Sequence, residues 1–165
     1  MENNIVISFI IPAHNSEKFL KRCVESVVKE EKQPKDNNLA EVIIIENGSS
    51  DHTKQIGTAL AEKYENVFLI CSEKGVSNAR NAGVKAAHGE WIFFLDADDY
   101  LPAGTLQKLL DTVNSGKAAD LYIFSYEKGN AIVNVATGEN ADGYEGTGVR
   151  ECLAGMLRNP TRCMA

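Results

Sequence analysis

The chain has 165 residues, 44% of them hydrophobic and 24% charged, with a formal net charge of −6. That size and balance fit one globular domain able to bury a core without disulfide or metal staples. The acidic balance excludes a nonspecific nucleic-acid binder, which needs a cationic face to displace counterions.

The elements follow in chain order. Ile5 to Ile11, apolar on both faces except at Ser8, reads as a central strand stopped by Pro12. Phe19, Leu20, Cys23, Val24, Val27 and Val28 repeat at helical spacing and predict a helix from Ser16 to about Glu31, with Ser16 as N-cap. A polar loop over 33–38 leads to a strand from Glu41 to Ile45, which ends at Glu46-Asn47-Gly48. Ser49-Ser50-Asp51 opens a second helix carrying Ile56, Ala59, Leu60 and Tyr64 on one face, with Asp51 capping or charging its start. Val67 to Ile70 is a short strand. Gly75 to His88 is a helix with a stripe of small residues, and Gly89 suits the left-handed position after it. Glu90 to Leu95 is the fourth strand. Pro102 opens a helix marked by Leu106, Leu109, Leu110 and Val113, and Gly116 ends it. Leu121 to Tyr126 is a fifth strand. Lys128-Gly129-Asn130 is a turn into Ala131 to Val135, and the Gly-rich stretch 137–148 reads as a mobile loop.

Strands and helices alternate, which implies an α/β fold: a mostly parallel sheet with helices on both faces, in one domain. Ligands of such sheets bind at the carboxyl ends of the strands. The polar clusters of this chain stand at those ends: Pro12-Ala13-His14-Asn15, Glu46-Asn47-Gly48-Ser49, and Asp96 to Asp99. The first turn carries no G-x-G-x-x-G, and no phosphate-cradling G-x-x-x-x-G-K-[ST] loop occurs. Both absences count against dehydrogenases and P-loop NTPases. Three carboxylates in four positions suit a divalent cation, which prefers oxygen ligands. The plain alternative is a solvated helix start, where carboxylates favour the dipole by about 0.3–1 kcal/mol each.

Four stretches carry a family likeness: SFIIPAHNSEKFLKRCVESV, EVIIIENGSSDHT, EKGVSNARNAGVKAAHGEWIFFLDADDYL and ADLYIFSY. In that order and spacing they resemble the family 2 inverting glycosyltransferases, whose nucleotide-sugar domain has the GT-A (Rossmann-like) fold. The third stretch ends in a DxD-type motif. The resemblance implies a metal-dependent transferase of a bacterial-type polysaccharide or cell-envelope pathway. It would use a nucleotide-diphosphate sugar, UDP-linked by preference, with Mn2+ or Mg2+ and a saccharide or lipid-linked acceptor. It implies Asp98 as metal ligand, with Asp96 on the metal or the ribose and Asp99 either in a neighbouring role or orienting the loop. The nucleotide would meet Pro12, Ala13, Asn15, Glu17, Glu46, Asn47, Lys74, Gly75, Arg80, Asp96 and Ala97. Two departures stand out. His14 occupies a place where the family often has an aromatic residue, and Glu46-Asn47 replaces the usual pair of aspartates. Either the Glu46 carboxylate or the Asn47 amide oxygen could accept a uracil N3–H.

Inverting transfer also needs a general base for the acceptor hydroxyl. The resemblance places it well beyond the DxD motif, and Asp142, Glu145 and Glu151 are unconvincing candidates. The chain is therefore expected to be the N-terminal portion of a longer transferase, lacking the acceptor side and poorly active alone. Other readings are a non-catalytic nucleotide-sugar-binding module and a sugar-1-phosphate nucleotidyltransferase, although Pro12 to Asn15 lacks the latter's Gly-rich loop.

Cys23, Cys71, Cys152 and Cys163 form no CxxC pair, and no histidine stands at metal-ligand spacing from them. With no signal-peptide pattern, the protein is expected to be reduced and cytoplasmic, with the inner face of the membrane as the second expected location. Apolar runs of about eight residues, against the ~20 of a membrane span, predict no transmembrane segment.

Overall fold

The computed structural model describes residues 5–29 and 39–115, together with the backbone of four short strands farther on. The 137–148 stretch lies outside the described residues.

Strand β1 (Ile7–Ala13) runs parallel to β2 (Ala40–Glu46) on one side and β4 (Trp91–Phe94) on the other; β3 (Val67–Cys71) lies parallel beyond β2. Helices α1 (Leu20–Val28), α2 (Thr53–Lys63) and α3 (Val76–Ala86) connect them, and α4 (Thr105–Asn114) follows. The remaining strands are β5 (Leu121–Ile123), β6 (Tyr126–Lys128), β7 (Ala131–Val133) and β8 (Gly155–Arg158). The main sheet has the order β3-β2-β1-β4-β8-β5, with β8 antiparallel to both its neighbours.

Alternation along β1 divides the core. Ile7, Phe9 and Ile11 join residues of α1, α2 and α4 in one cluster, while Ile10 joins Ile43, Ile92 and Ala79 of α3 in the other. Strand side chains point to opposite faces, so a strand covered on both sides must be apolar throughout. Small residues on α3 permit a close approach: a Cβ built on Gly83 would collide with the Ile10 side chain.

Ser8 breaks the apolar run for a reason. Its hydroxyl donates to the Glu41 carboxylate at 2.5 Å and accepts the Gly89 N–H at 2.8 Å. Glu41 is only 1% exposed, and it also accepts the His88 N–H at 2.7 Å. A buried carboxylate requires such donors.

Several boundaries depart from the sequence reading. Pro12 does not stop β1; it sits inside it, paired with Ile45. Leu95 N–H reaches Ile10 O, so the even residues of β1 face β4, which has ended by Pro12. Proline lacks the N–H that would continue the ladder to β4, and that ladder ends at Ile10 and Phe94, short of it. Ser16 is not the N-cap of α1, which begins four residues later; its carbonyl instead accepts the N–H groups of Phe19 and Leu20. The second helix starts at Thr53, just after Asp51, whose carboxylate accepts the Thr53 N–H at 2.9 Å. Pro102 lies in a turn before α4, because left-handed Gly104 (φ 80°) interrupts the chain there. Gly89 is not left-handed. It is required because a Cβ would stand 2.6 Å from the Ser8 main-chain nitrogen. The expected fifth strand is two, β5 and β6, and β6 pairs with β7 as the predicted hairpin, Lys128 opposite Ala131. Strand β8 was not anticipated.

Candidate functional site

At the carboxyl edge, the register sets Ala13 beside Glu46 and Glu46 beside Cys71. Strand β4 stops earlier: Phe94 pairs with Ile10. Two residues on, Asp96 falls level with Pro12. The shorter strand leaves a notch, and the acidic turn forms its wall. A cleft of about 330 Å³ opens there, lined among others by Pro12, His14, Asn47, Asp96, Ala97 and Asp98.

The first two loops are cross-tied. Asn15 takes a left-handed conformation (φ 51°), which asparagine tolerates better than most residues. Its N–H donates to the Ser49 hydroxyl at 3.1 Å and its amide oxygen accepts the Ser50 N–H at 2.8 Å. Ser16 N–H reaches the Thr53 hydroxyl at 2.7 Å, and Glu17 N–H reaches the Asp51 carboxylate at 3.1 Å. In return the Glu17 carboxylate accepts the His52 N–H at 3.1 Å and meets its ring at 2.9 Å. The His52 N–H, then its side chain, hold the Glu17 carboxyl below its usual range.

Glu46 is buried, which raises its carboxyl, but the Ser49 and Gly48 N–H groups outweigh that effect and leave it lowered. The Ser49 N–H lies 2.5 Å from it. Asn47 is 5% exposed, and its amide oxygen accepts the Gly75 N–H at 2.7 Å. Thus both acceptors considered for base recognition already hold a main-chain donor, while the Asn47 NH2 supplies two further donors. His14 Nδ1 lies 2.9 Å from the Asn47 carbonyl, which ties this residue back to the first loop.

Gly75 (φ 131°) adopts a conformation that side chains rarely reach, and the Lys74 stem runs beside Gly48. Arg80 Nη2 lies 3.4 Å from the Asp96 carboxylate, with its guanidinium carbon 5.9 Å from the Phe94 ring centroid. Asp98 and Asp99 are exposed. Partial burial and then the charges of Asp98 and Asp96 raise the Asp99 carboxyl, against the pull of Arg22. Burial, followed by the three aspartates, pushes the Cys23 thiol up.

Of the residues singled out from sequence, Pro12, Asn15, Asn47, Asp96, Ala97 and Asp98 line the cleft together. Ala13 and Glu46 close the strands beneath it. Lys74, Gly75 and Arg80 approach through bonds to, or contacts with, its neighbours, and Glu17 is engaged by His52. Sequence reading missed Phe19 and Val76, which line the cleft and are 44% and 52% exposed. Phe19 was assigned to the buried stripe of the first helix. Phe19 instead precedes the first residue of α1, Leu20, and so falls outside the stripe formed by Leu20, Cys23, Val24 and Val27.

An ion shared with a ligand suits Asp96 and Asp98, because Mg2+ and Mn2+ typically keep one or two carboxylates and take phosphate or water oxygens besides. Among the described residues no group of three or more His, Cys, Asp or Glu is arranged to hold an ion by itself. Nor is any helix among them long and apolar enough to cross a membrane.

The sheet order, the crossovers and the acidic turn define a Rossmann-like fold of the GT-A class. Residues 8–158 match the family described as Glycosyl transferase family 2, and the chain belongs to that family. It is 33% identical over 122 residues to the putative glycosyltransferase EpsH of Bacillus subtilis, covering 73% of this chain and 33% of EpsH. The fold resembles S. aureus TarS 1-349 in complex with UDP (TM-score 0.69, 23% identity, 94% of this chain and 47% of that one). It also resembles the Pyrobaculum calidifontis mannosyltransferase PcManGT in complex with GDP-Man and Mn2+ (TM-score 0.59, 21% identity, 76% and 36%). The chain thus spans less than half the length of each of these three proteins.

Proposed function

We propose that this chain is the nucleotide-sugar-binding part of a metal-dependent, inverting glycosyltransferase, with a UDP-sugar as favoured donor and a glycan or cell-envelope acceptor. The observation that carries the reading is the meeting of Asn47, Asp96 and Asp98 in one cleft, with Arg80 against Asp96. TarS with UDP and PcManGT with GDP-Man and Mn2+ support a nucleoside diphosphate and a cation as the ligands.

In this reading Asp98 and Asp96 hold the cation, which when bound stabilises charge on the departing diphosphate. Arg80 offsets the Asp96 carboxylate, and its planar fork suits a phosphate oxygen. Gly75 lets the main chain come close to the ligand. The Asn47 NH2 suits a base carbonyl such as those of uracil. Pro12, Ala13, Asn15 and Glu17 build the opposite wall, Glu17 by holding the second loop. During transfer the acceptor hydroxyl oxygen bonds to the anomeric carbon as the bond to the diphosphate breaks. A base removes the hydroxyl proton, and no described residue is assigned that role.

Calorimetric titration with UDP, GDP and ADP, each with and without Mn2+, tests the reading. The expected result is binding of UDP that strengthens at least about tenfold with Mn2+. Failure of all three nucleotides to bind sinks it.

A further inference from the structure

The acidic turn is held from behind by one face of α1. Arg22 Nη2 donates to the Asp98 carbonyl at 3.0 Å, and its guanidinium carbon lies 4.7 Å from the Tyr100 ring centroid. The neighbouring Cys23 thiol reaches the Asp96 carbonyl at 3.5 Å. One helical turn on, the Ser26 hydroxyl accepts the Leu101 N–H at 3.0 Å and donates to the Cys23 carbonyl at 2.6 Å. The three hydrogen bonds from α1 to the turn all go to main chain, at Asp96, Asp98 and Leu101, and none of them engages a carboxylate.

We propose that Arg22 is a positioning residue for the cation-binding side of this turn, acting through the Asp98 carbonyl and the Tyr100 ring rather than by touching the ligand. The inference rests on the reading of Asp98 as a cation ligand. Its physical basis is preorganisation. Asp98, Asp99 and Tyr100 are exposed, and three carboxylates within four positions repel one another. Ordering a residue costs backbone entropy, and a turn ordered beforehand spares the ligand that cost. A planar guanidinium can bond to a carbonyl with its edge while stacking on a ring with its face; an ammonium cannot do both. Its charge also balances the turn from the side opposite Arg80, so the two arginines bracket the acidic residues. Arg22 is itself exposed, and a merely structural surface contact would contribute little there.

The test uses Arg22→Met, Arg22→Lys and Tyr100→Leu. Two quantities are measured for each: the affinity for UDP in chelator, and the affinity of Mn2+ for the UDP-saturated protein, read from the loss of the free-ion resonance signal. Arg22→Met is expected to weaken Mn2+ binding by about tenfold or more, the usual scale for residues that orient a metal ligand. Its UDP affinity in chelator should stay within about twofold of the parent. Arg22→Lys should recover part of the loss, and Tyr100→Leu should show a smaller loss in the same direction. Mn2+ affinity unchanged in Arg22→Met overturns the inference. So does an equal loss of both affinities together with a lower melting temperature, which marks a contact that only supports the fold. Should Arg22→Met not fold, Tyr100→Leu and Arg22→Lys give the same comparison. A parent protein whose UDP binding ignores Mn2+ would instead remove the metal reading, and this inference with it.

Discussion

Gly89 presses its main chain against Ser8 so closely that its N–H bonds the Ser8 hydroxyl at 2.8 Å, while that hydroxyl donates to Glu41. The contact fixes where β4 begins relative to β1, and hence the level at which Asp96 emerges at the other edge. Gly89→Ala should cost about 1–3 kcal/mol, as overpacking does. Glu41→Ala should cost about 2–4 kcal/mol, because it leaves the Ser8 hydroxyl and the His88 N–H without an acceptor. Urea unfolding of the two variants checks both values, and losses under about 0.5 kcal/mol would contradict the account.

A second expectation concerns the other face of the sheet. Gly83→Val places a branched side chain where Ile10 already lies. The helix must shift away, with a loss of about 2 kcal/mol or more. Pairing it with Ile10→Ala should restore part of that loss, which a double-mutant cycle would read directly.

Acid should loosen the loops before it unfolds the sheet. Lys29, then Tyr64 and Lys63, hold the Glu25 carboxyl down at about 2 against the opposing effect of burial. Glu17, Glu46 and Asp51 are lowered too. For Asp51, burial raises the carboxyl, and the Thr53 hydroxyl and N–H with the Glu17 N–H outweigh it. These folded values lie below those of the unfolded chain, so the unfolded state takes up protons first as pH falls. Their stabilisation is fully present above the ordinary carboxylate range, roughly pH 4–4.5, and is lost as pH drops towards the folded values. Denaturation midpoints taken between pH 7 and pH 3 should be level and then fall. Asp51→Asn should flatten the fall; an unchanged slope would count against the tie between the loops.

For the acidic turn itself, Asp98→Asn should nearly abolish the Mn2+-dependent part of UDP binding and leave the melting temperature within a few degrees, since Asp98 is exposed. Retained metal dependence would reduce the turn to a helix approach. Asp96→Asn should weaken metal dependence as well, and it also removes the charge partner of Arg80.

The β-α alternation was legible because β1 and β2 are apolar on both faces and α1 has a clear stripe. The site was legible as clusters at strand ends, which is where a parallel sheet collects its loops. What escaped were features set by partners far along the chain. Pro12 reads as a breaker until β4 is seen to end short of it. Gly89 reads as a helix cap until Ser8 arrives against it. Phe19 reads as core because it keeps helical spacing with Cys23 and Val27, until α1 is seen to begin only at Leu20. Arg22 and Ser26 carry no local signal, for their partners lie 75 residues or so away, at Asp98 and Leu101. Strand β8 is invisible for the same reason: Gly155–Arg158 is strand by virtue of the edge that β4 offers.

That last strand makes an otherwise long interval topologically short. Ile123 of β5 stands opposite Gly155 of β8. Between them the described strands β6 and β7 pair with each other in a separate sheet, and β8 rejoins the main sheet beside β5. For a flexible connection, each doubling of length adds only about 0.6 kcal/mol to closure. On the sheet itself the return from β5 to β8 is therefore a step between neighbours, as in a hairpin. The register of β3, β2, β1 and β4, on which the cleft depends, is set by pairings that involve neither of those two strands.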